Sequence, residues 1–204
     1  MIPDTFNLVN VTDTCALWHL VGADTLFRAA RQVKVDFIIT PTVFYECFVK
    51  TRGGSVTAER QALRTKLQGH LDNEQIAHIG VSIEDLQDTV DIAKRSTLDK
   101  RLGQGELSCA ALARRLGHPA VLTDNKRDFL AIRNLVNDRL QKTPQLLGWL
   151  YVKGHISDSD VDDIVCEHKA SSGQMADIYK QAYEQACEKR LVAQMGSSPT
   201  GDNQ

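Results

Sequence analysis

The chain has 204 residues, 42% hydrophobic and 25% charged, with a formal net charge of −2. Such a length suits one sizeable domain with or without an extension, and the composition is that of an ordinary soluble globular protein rather than a disordered or fibrous one. The near-neutral balance neither announces nor excludes a nucleic-acid binder, because local patches of charge decide that. No segment is long and apolar enough to span a bilayer, and "MIPDTFNLVN" lacks the basic start and apolar run of a signal peptide, so a cytoplasmic protein with no membrane partner is expected. Five cysteines (15, 47, 109, 166 and 187) form no CxxC pair. Reduced thiols, mostly buried as small hydrophobes, are expected rather than a zinc site or a disulfide frame.

In chain order, "FNLVNVTDT" (6–14) reads as a strand with little two-sided alternation, as in a buried parallel sheet. A helix follows over 16–32, with an interruption near Gly22, and "VDFIITP" (35–41) is a second strand. Thr40 is placed to cap the next helix, with Pro41 at its first position, where a missing N–H costs nothing. Residues 51–57 are a glycine-bearing loop, 58–70 a solvated helix, and 76–81 a short strand. Ser82 and Asp85 resemble a capping box opening a helix to about 96. "GQGELSCAALARRLG" (103–117) is helical and stops at Gly117; "HPAVLTD" is a strand. Thr143-Pro144 signals the start of the helix "QLLGWLYVKG", Ser157 caps a helix to about 168, and 174–194 form a last amphipathic one. Strands alternating with helices predict an α/β sandwich around a mostly parallel sheet.

Asp13 falls at the end of the first strand, Glu46 in the helix after the second, Glu106 early in the helix after Gly103 and Gly105, and Asp124 at the end of a later strand, with Asp128 one turn on. In a parallel sheet, strand ends and the helix starts that follow them share one edge, where such folds place their sites. Converging carboxylates repel unless protonated or bridged, and hard oxygen ligands without Cys or His favour Mg²⁺ or Mn²⁺. Thr14, Thr123 and Asn125 add groups that orient ligands or water. Lys50, Arg52, Lys126 and Arg127 stand nearest these acids as phosphate contacts, with Arg28, Arg31, Lys34, Arg114 and Arg115 further off. No histidines pair at helical ligand spacing. His19 and His118 read as packing or loop residues, and Trp18, Phe44, Phe48 and Trp149 as core.

These blocks together resemble the PIN-domain family. "VNVTDTCALWHL" resembles its opening strand and metal-binding Asp, "IITPTVFYECF" its Pro-led helix bearing a Glu, "LGQGELSCAALARRLG" its Gly-Glu helix, and "AVLTDNKRDF" its strand with the last acids. "LLGWLYVKGHISDSDVDDI" and "MADIYKQAYEQA" resemble the C-terminal helices of one PIN branch. The resemblance implies a three-layer α/β/α sandwich over 1–155, a helical extension at 156–195 packed on it, and a disordered tail at 196–204. It implies an Mg²⁺- or Mn²⁺-dependent nuclease acting on RNA, with Asp13, Glu46, Glu106 and Asp124 as the metal quartet and Asp128 as a fifth member. Two departures stand out: the third acid is Glu106 where toxin members often carry Asp, and the segment between Glu46 and Glu106 is long. A toxin-type endoribonuclease with an antitoxin partner, a homodimer, and a catalytically silent PIN-like scaffold in a nucleoprotein complex all remain open. A phosphatase or receiver-type domain is disfavoured, because no DxDx[TV] stretch and no acidic pair occur at the first strand.

Overall fold

A computed structural model of the chain describes residues 1–50, 56–95, 102–126, 129–169 and 173–196. Five parallel strands, β1 (Val9–Thr12), β2 (Asp36–Ile39), β3 (Ile76–His78), β4 (Ala120–Leu122) and β5 (Leu140–Gln141), form one sheet in the order β3-β2-β1-β4-β5. Around it lie α1 (Thr14–Gly22), α2 (Asp24–Gln32), α3 (Pro41–Phe48), α4 (Ala58–Asp72), α5 (Ile83–Arg95), α6 (Gln104–Leu116), α7 (Phe129–Leu135), α8 (Thr143–Val152), α9 (Asp158–Lys169) and α10 (Gly173–Gly196). The architecture is a three-layer α/β/α sandwich. Helices α5, α6 and α7 pack together in one layer; α1, α2 and α4, joined by α8 and α9, make the other, and α10 lies on α8 and α9. The core runs without a break from Val11, Ile39 and Leu122 of the sheet to Ile164, Tyr179 and Ala186 of the last two helices. Trp18 and Trp149 are buried in it, and Phe44 and Phe48 pack against its rim.

The strand order carries the functional consequence. From β1 the chain steps outward to β2 and β3, then returns across the sheet to place β4 on the opposite side of β1. The helices after β1 and β4 therefore pack in different layers, and the carboxyl edge between these two strands is the usual location of ligand sites in open parallel sheets.

Local signals act where the sequence places them. Thr40 accepts a hydrogen bond from the Val43 amide (3.3 Å), with Pro41 opening α3. Ser82 and Asp85 form a reciprocal capping box (3.0 and 3.4 Å), and Ser157 accepts from the Asp160 amide (3.3 Å). Gly117, at φ +82°, ends α6 in a conformation that a side chain would oppose. The predicted helix over 16–32 is two helices, broken at Ala23.

Other expectations change. The first strand is Val9–Thr12 rather than 6–14; Phe6 is buried outside it and Asp13 is already the N-cap of α1. The third strand ends at His78. Helix α7 and the two-residue β5 were not anticipated from the sequence, and α8 starts from an N-cap at Lys142, which frees the Thr143 hydroxyl for another partner. All five cysteines are free thiols, but only Cys47 and Cys109 are buried; Cys15 and Cys166 are exposed, because they fall on the outward faces of α1 and α9. On α10, Met175, Ala182 and Ala186 are buried as its apolar face predicts, whereas Ala193 lies beyond α8 and α9 and is exposed. The expected tail at 196–204 falls, apart from Gly196, outside the described residues. Among the described residues, no helix is long and apolar enough to cross a membrane.

Thr40 joins two elements, since its hydroxyl also lies 2.7 Å from that of Ser108 in α6. Replacing Thr40 by Ala is expected to cost about 1–2 kcal/mol, the value of a lost N-cap, measurable as a lower urea midpoint with an unchanged slope. A midpoint equal to that of the parent would show that the cap contributes nothing.

Candidate active site

Parallel pairing brings Asp13 and Thr123 side by side. Thr12 is in register with Leu122, and the Asp13 amide donates to the Leu122 carbonyl (3.0 Å), so the next residue of each strand lies at the carboxyl edge. One Asp13 carboxylate oxygen accepts from the Ala16 amide (2.7 Å), capping α1; the other accepts from the Thr123 hydroxyl. Thr123 in turn accepts from the Asn125 amide (3.1 Å), and Asn125 donates its side-chain N–H to Glu106 (3.1 Å). Asp13 is 2% exposed. Burial pushes its carboxyl up to about 7, with the nearby Asp124 and Glu106 adding to the rise against the Thr123 and Ala16 hydrogen bonds.

Glu46 enters from α3. It accepts from the Thr14 hydroxyl (2.6 Å) and pairs with Lys50 one turn along the same helix (3.1 Å). Its approach to α6 depends on Gly105, where an added Cβ would stand 2.8 Å from a Glu46 carboxylate oxygen. Beneath the acids lies Cys109, whose fully buried thiol is held well above the ordinary value by burial first and then by Asp13, Glu106 and Glu46.

Asp124 is tied differently. Its two oxygens take the amide (3.0 Å) and hydroxyl (2.6 Å) of Thr143, and Nδ1 of His19 lies 2.7 Å from the second. Tyr179, fully buried in α10, donates to the Thr143 hydroxyl (2.7 Å). His168 of α9 stacks on Tyr179 (ring centroids 4.7 Å apart) and meets His19 edge-on (5.8 Å). Burial, and secondarily His19, lowers the His168 imidazole to about 4, which keeps it neutral near pH 7.

Asp13 and Asp124 follow the adjacent strands β1 and β4, Asp13 is linked through Thr123 and Asn125 to Glu106, and Thr14 holds Glu46. Lys126 is exposed beside Asp124. Asp128, Arg127 and Arg52 lie outside the described residues. Three of the more distant cations are engaged elsewhere: Arg31 with Asp36, Arg114 with the Leu135 carbonyl (2.9 Å), and Arg115 with Asp85 (3.4 Å) and the Gly80 carbonyl (2.9 Å). His19 departs from its packing role by contacting Asp124, and Thr143 and Tyr179 are additions that the sequence reading missed. Each partner is remote in sequence, and Thr143 reaches the edge only because the unread β5 delivers it there.

As placed, each acid meets an internal donor. Among the described residues, no group of three or more His, Cys, Asp or Glu side chains is arranged to hold a metal ion. No family model, no curated protein and no solved structure matches the chain. Fold and site define an open, all-parallel α/β protein with carboxylates at the carboxyl edge of its strand-order reversal.

Gly105→Ala separates site from scaffold. Alanine favours a helix over glycine by about 1 kcal/mol, while its methyl displaces the Glu46 carboxylate. Thermal stability should hold or rise, and any activity that depends on Glu46 should fall. Asp13 gives a pH signature in chelator. Its carboxyl titrates near 3.8 in ordinary surroundings and near 7 here, so its contribution to stability is full below the lower value and lost as pH rises through the higher. The melting temperature of the parent minus that of Asp13→Asn should fall between about pH 4 and 7 and then level off. A difference independent of pH would exclude the shift.

Proposed function

We propose that this chain is a divalent-metal-dependent nuclease that hydrolyses phosphodiester bonds of RNA. The observation that carries the reading is the placement of Asp13, Glu46, Glu106 and Asp124 around the reversal of strand order, with Asp13 joined to Glu106 through Thr123 and Asn125 and Glu46 held by Thr14 beside Asp13. The order of the blocks that carry these acids, which resembles that of the PIN family, supports it.

The donor set fits Mg²⁺ or Mn²⁺. It consists of carboxylate oxygens, and the upward shift of Asp13 is partly mutual repulsion, which a cation offsets. As placed, the acids do not form a three-ligand group among the described residues, so Asp13, Glu46 and Glu106 would hold the ion only after side-chain movement that frees Glu46 from Lys50, and Asp124 would join them on yielding a contact with His19 or Thr143. Such an ion, when bound, lowers the pKa of a coordinated water and neutralises charge on the phosphate. The chain's own groups do the rest. Thr14 fixes the rotamer of Glu46, Asn125 that of Glu106, and Thr123 that of Asp13. Lys126 and Lys50 offer positive charge to the flanking phosphates, and no side chain is required as a covalent nucleophile.

One observation favours a second reading, a silent PIN-like module that scaffolds a nucleoprotein complex. Glu46 is paired with Lys50, and Asp124 already has three hydrogen-bonding contacts, two from Thr143 and one with His19. A toxin-type role with an antitoxin partner belongs to the first reading only.

The two readings part in one assay. On mixed RNA, cleavage should be absent in EDTA and return with Mg²⁺ or Mn²⁺. Asp13→Asn should remove it by at least a hundredfold, the order of effect when a group placed for transition-state charge is lost, while the folded circular-dichroism spectrum is retained. Metal should also raise the melting temperature of the parent at pH 8 but not that of Asp13→Asn. RNA left intact at every metal concentration, with no thermal shift, rejects the nuclease reading in favour of the scaffold.

A further inference from the structure

Asp124 also lines a cavity of about 240 Å³ that opens between the start of α7, the start of α8, the face of α10 and the N-terminal Met1 and Ile2. Its walls divide by chemistry. Phe129 and Ile178 are apolar and half-buried, and Met175 is a buried apolar lining residue. Lys126 and Lys142 are cationic, with the Lys142 ammonium 4.1 Å over the Phe129 ring. Gln181, exposed on α10, brings an amide that can both donate and accept. The acids of the carboxyl edge account for none of these groups.

An apolar slot with an aromatic ring, an amide at its side and two cations beside it matches one unstacked nucleotide: a flat base to bury, a base edge to hydrogen-bond, and phosphates to pair. A duplex keeps its bases stacked and cannot present one to such a slot. We propose that this cavity binds a single base of single-stranded RNA, with Lys126 and Lys142 on the adjoining phosphates, and so delivers the neighbouring phosphodiester to the acids of the carboxyl edge. The inference rests on the nuclease reading for its role in catalysis, but its binding arm is measurable without catalysis.

The test is fluorescence anisotropy in EDTA with a labelled single-stranded RNA decamer of mixed sequence, the same decamer as a duplex, and its DNA counterpart. The parent should prefer the single-stranded RNA. The surface double variant Lys126→Gln/Lys142→Gln should bind it about tenfold more weakly and reduce the dependence of log K on log salt by about 1.4, two phosphate contacts at roughly 0.7 each on a single strand. Phe129→Ala should weaken it by about five- to tenfold, the order of one lost base stack. No binding by the parent, equal binding of duplex, equal binding of DNA, or an unchanged affinity and salt slope in the lysine variant each overturns the proposal. If the lysine variant binds RNA normally while Asp13→Asn abolishes cleavage, the cavity assignment fails and the nuclease reading stands. If the lysine variant loses RNA binding while no metal elicits cleavage from the parent, the cavity assignment stands and the nuclease reading fails.

Discussion

The pairing of β1 with β4 is the constraint on which the site depends. These two strands are far apart in sequence, and their register sets Thr12 beside Leu122. One residue further on, Asp13 and Thr123 share a hydrogen bond in a place that water barely reaches. A slip of one residue would turn both side chains to the opposite face of the sheet. Fully buried Val11, Val121 and Leu122 fix the register by the surface they remove from water, so the geometry of the acids rests on hydrophobic packing.

Around that pair the structure manages charge in two ways. Glu46 has a lysine partner and a hydroxyl, and Asp124 has the first amide of α8, a hydroxyl and an imidazole. Asp13 has no ion-pair partner among the described residues; it has two neutral donors and two acidic neighbours. The cost of burying charge is therefore concentrated on one residue. Burial is the first cause of its raised carboxyl, and the neighbouring Asp124 and Glu106 add to it.

Much of this was legible in the sequence, and the parts that were not have physical reasons. The alternation of short apolar runs with helical segments gave the layered parallel sheet. Thr40-Pro41, Ser82 with Asp85, and Gly117 are local signals whose mechanism needs only a few residues, and they act as read. Strand ends followed by Asp13 and Asp124 marked the carboxyl edge. The two-residue β5 and seven-residue α7 were invisible because neither is long enough to show a period. Without β5, Thr143 looked like a helix cap rather than a ligand of Asp124. Tyr179 carried no signal of its own in the sequence, because its hydroxyl contact depends on how α10 lies across α8.

The hydroxyl relay from Tyr179 through Thr143 also orders events in time. A polypeptide leaves the ribosome from its N-terminus, and domains generally fold as units in that direction. Asp13, Glu46, Glu106 and Asp124 all emerge before Thr143, and Tyr179 comes later still. A nascent chain therefore carries its complete set of acids before it possesses the two hydroxyls that anchor the last of them. The hydrogen bonds that hold Asp124 thus depend on segments made after every acid of the site, α8 for Thr143 and α10 for Tyr179.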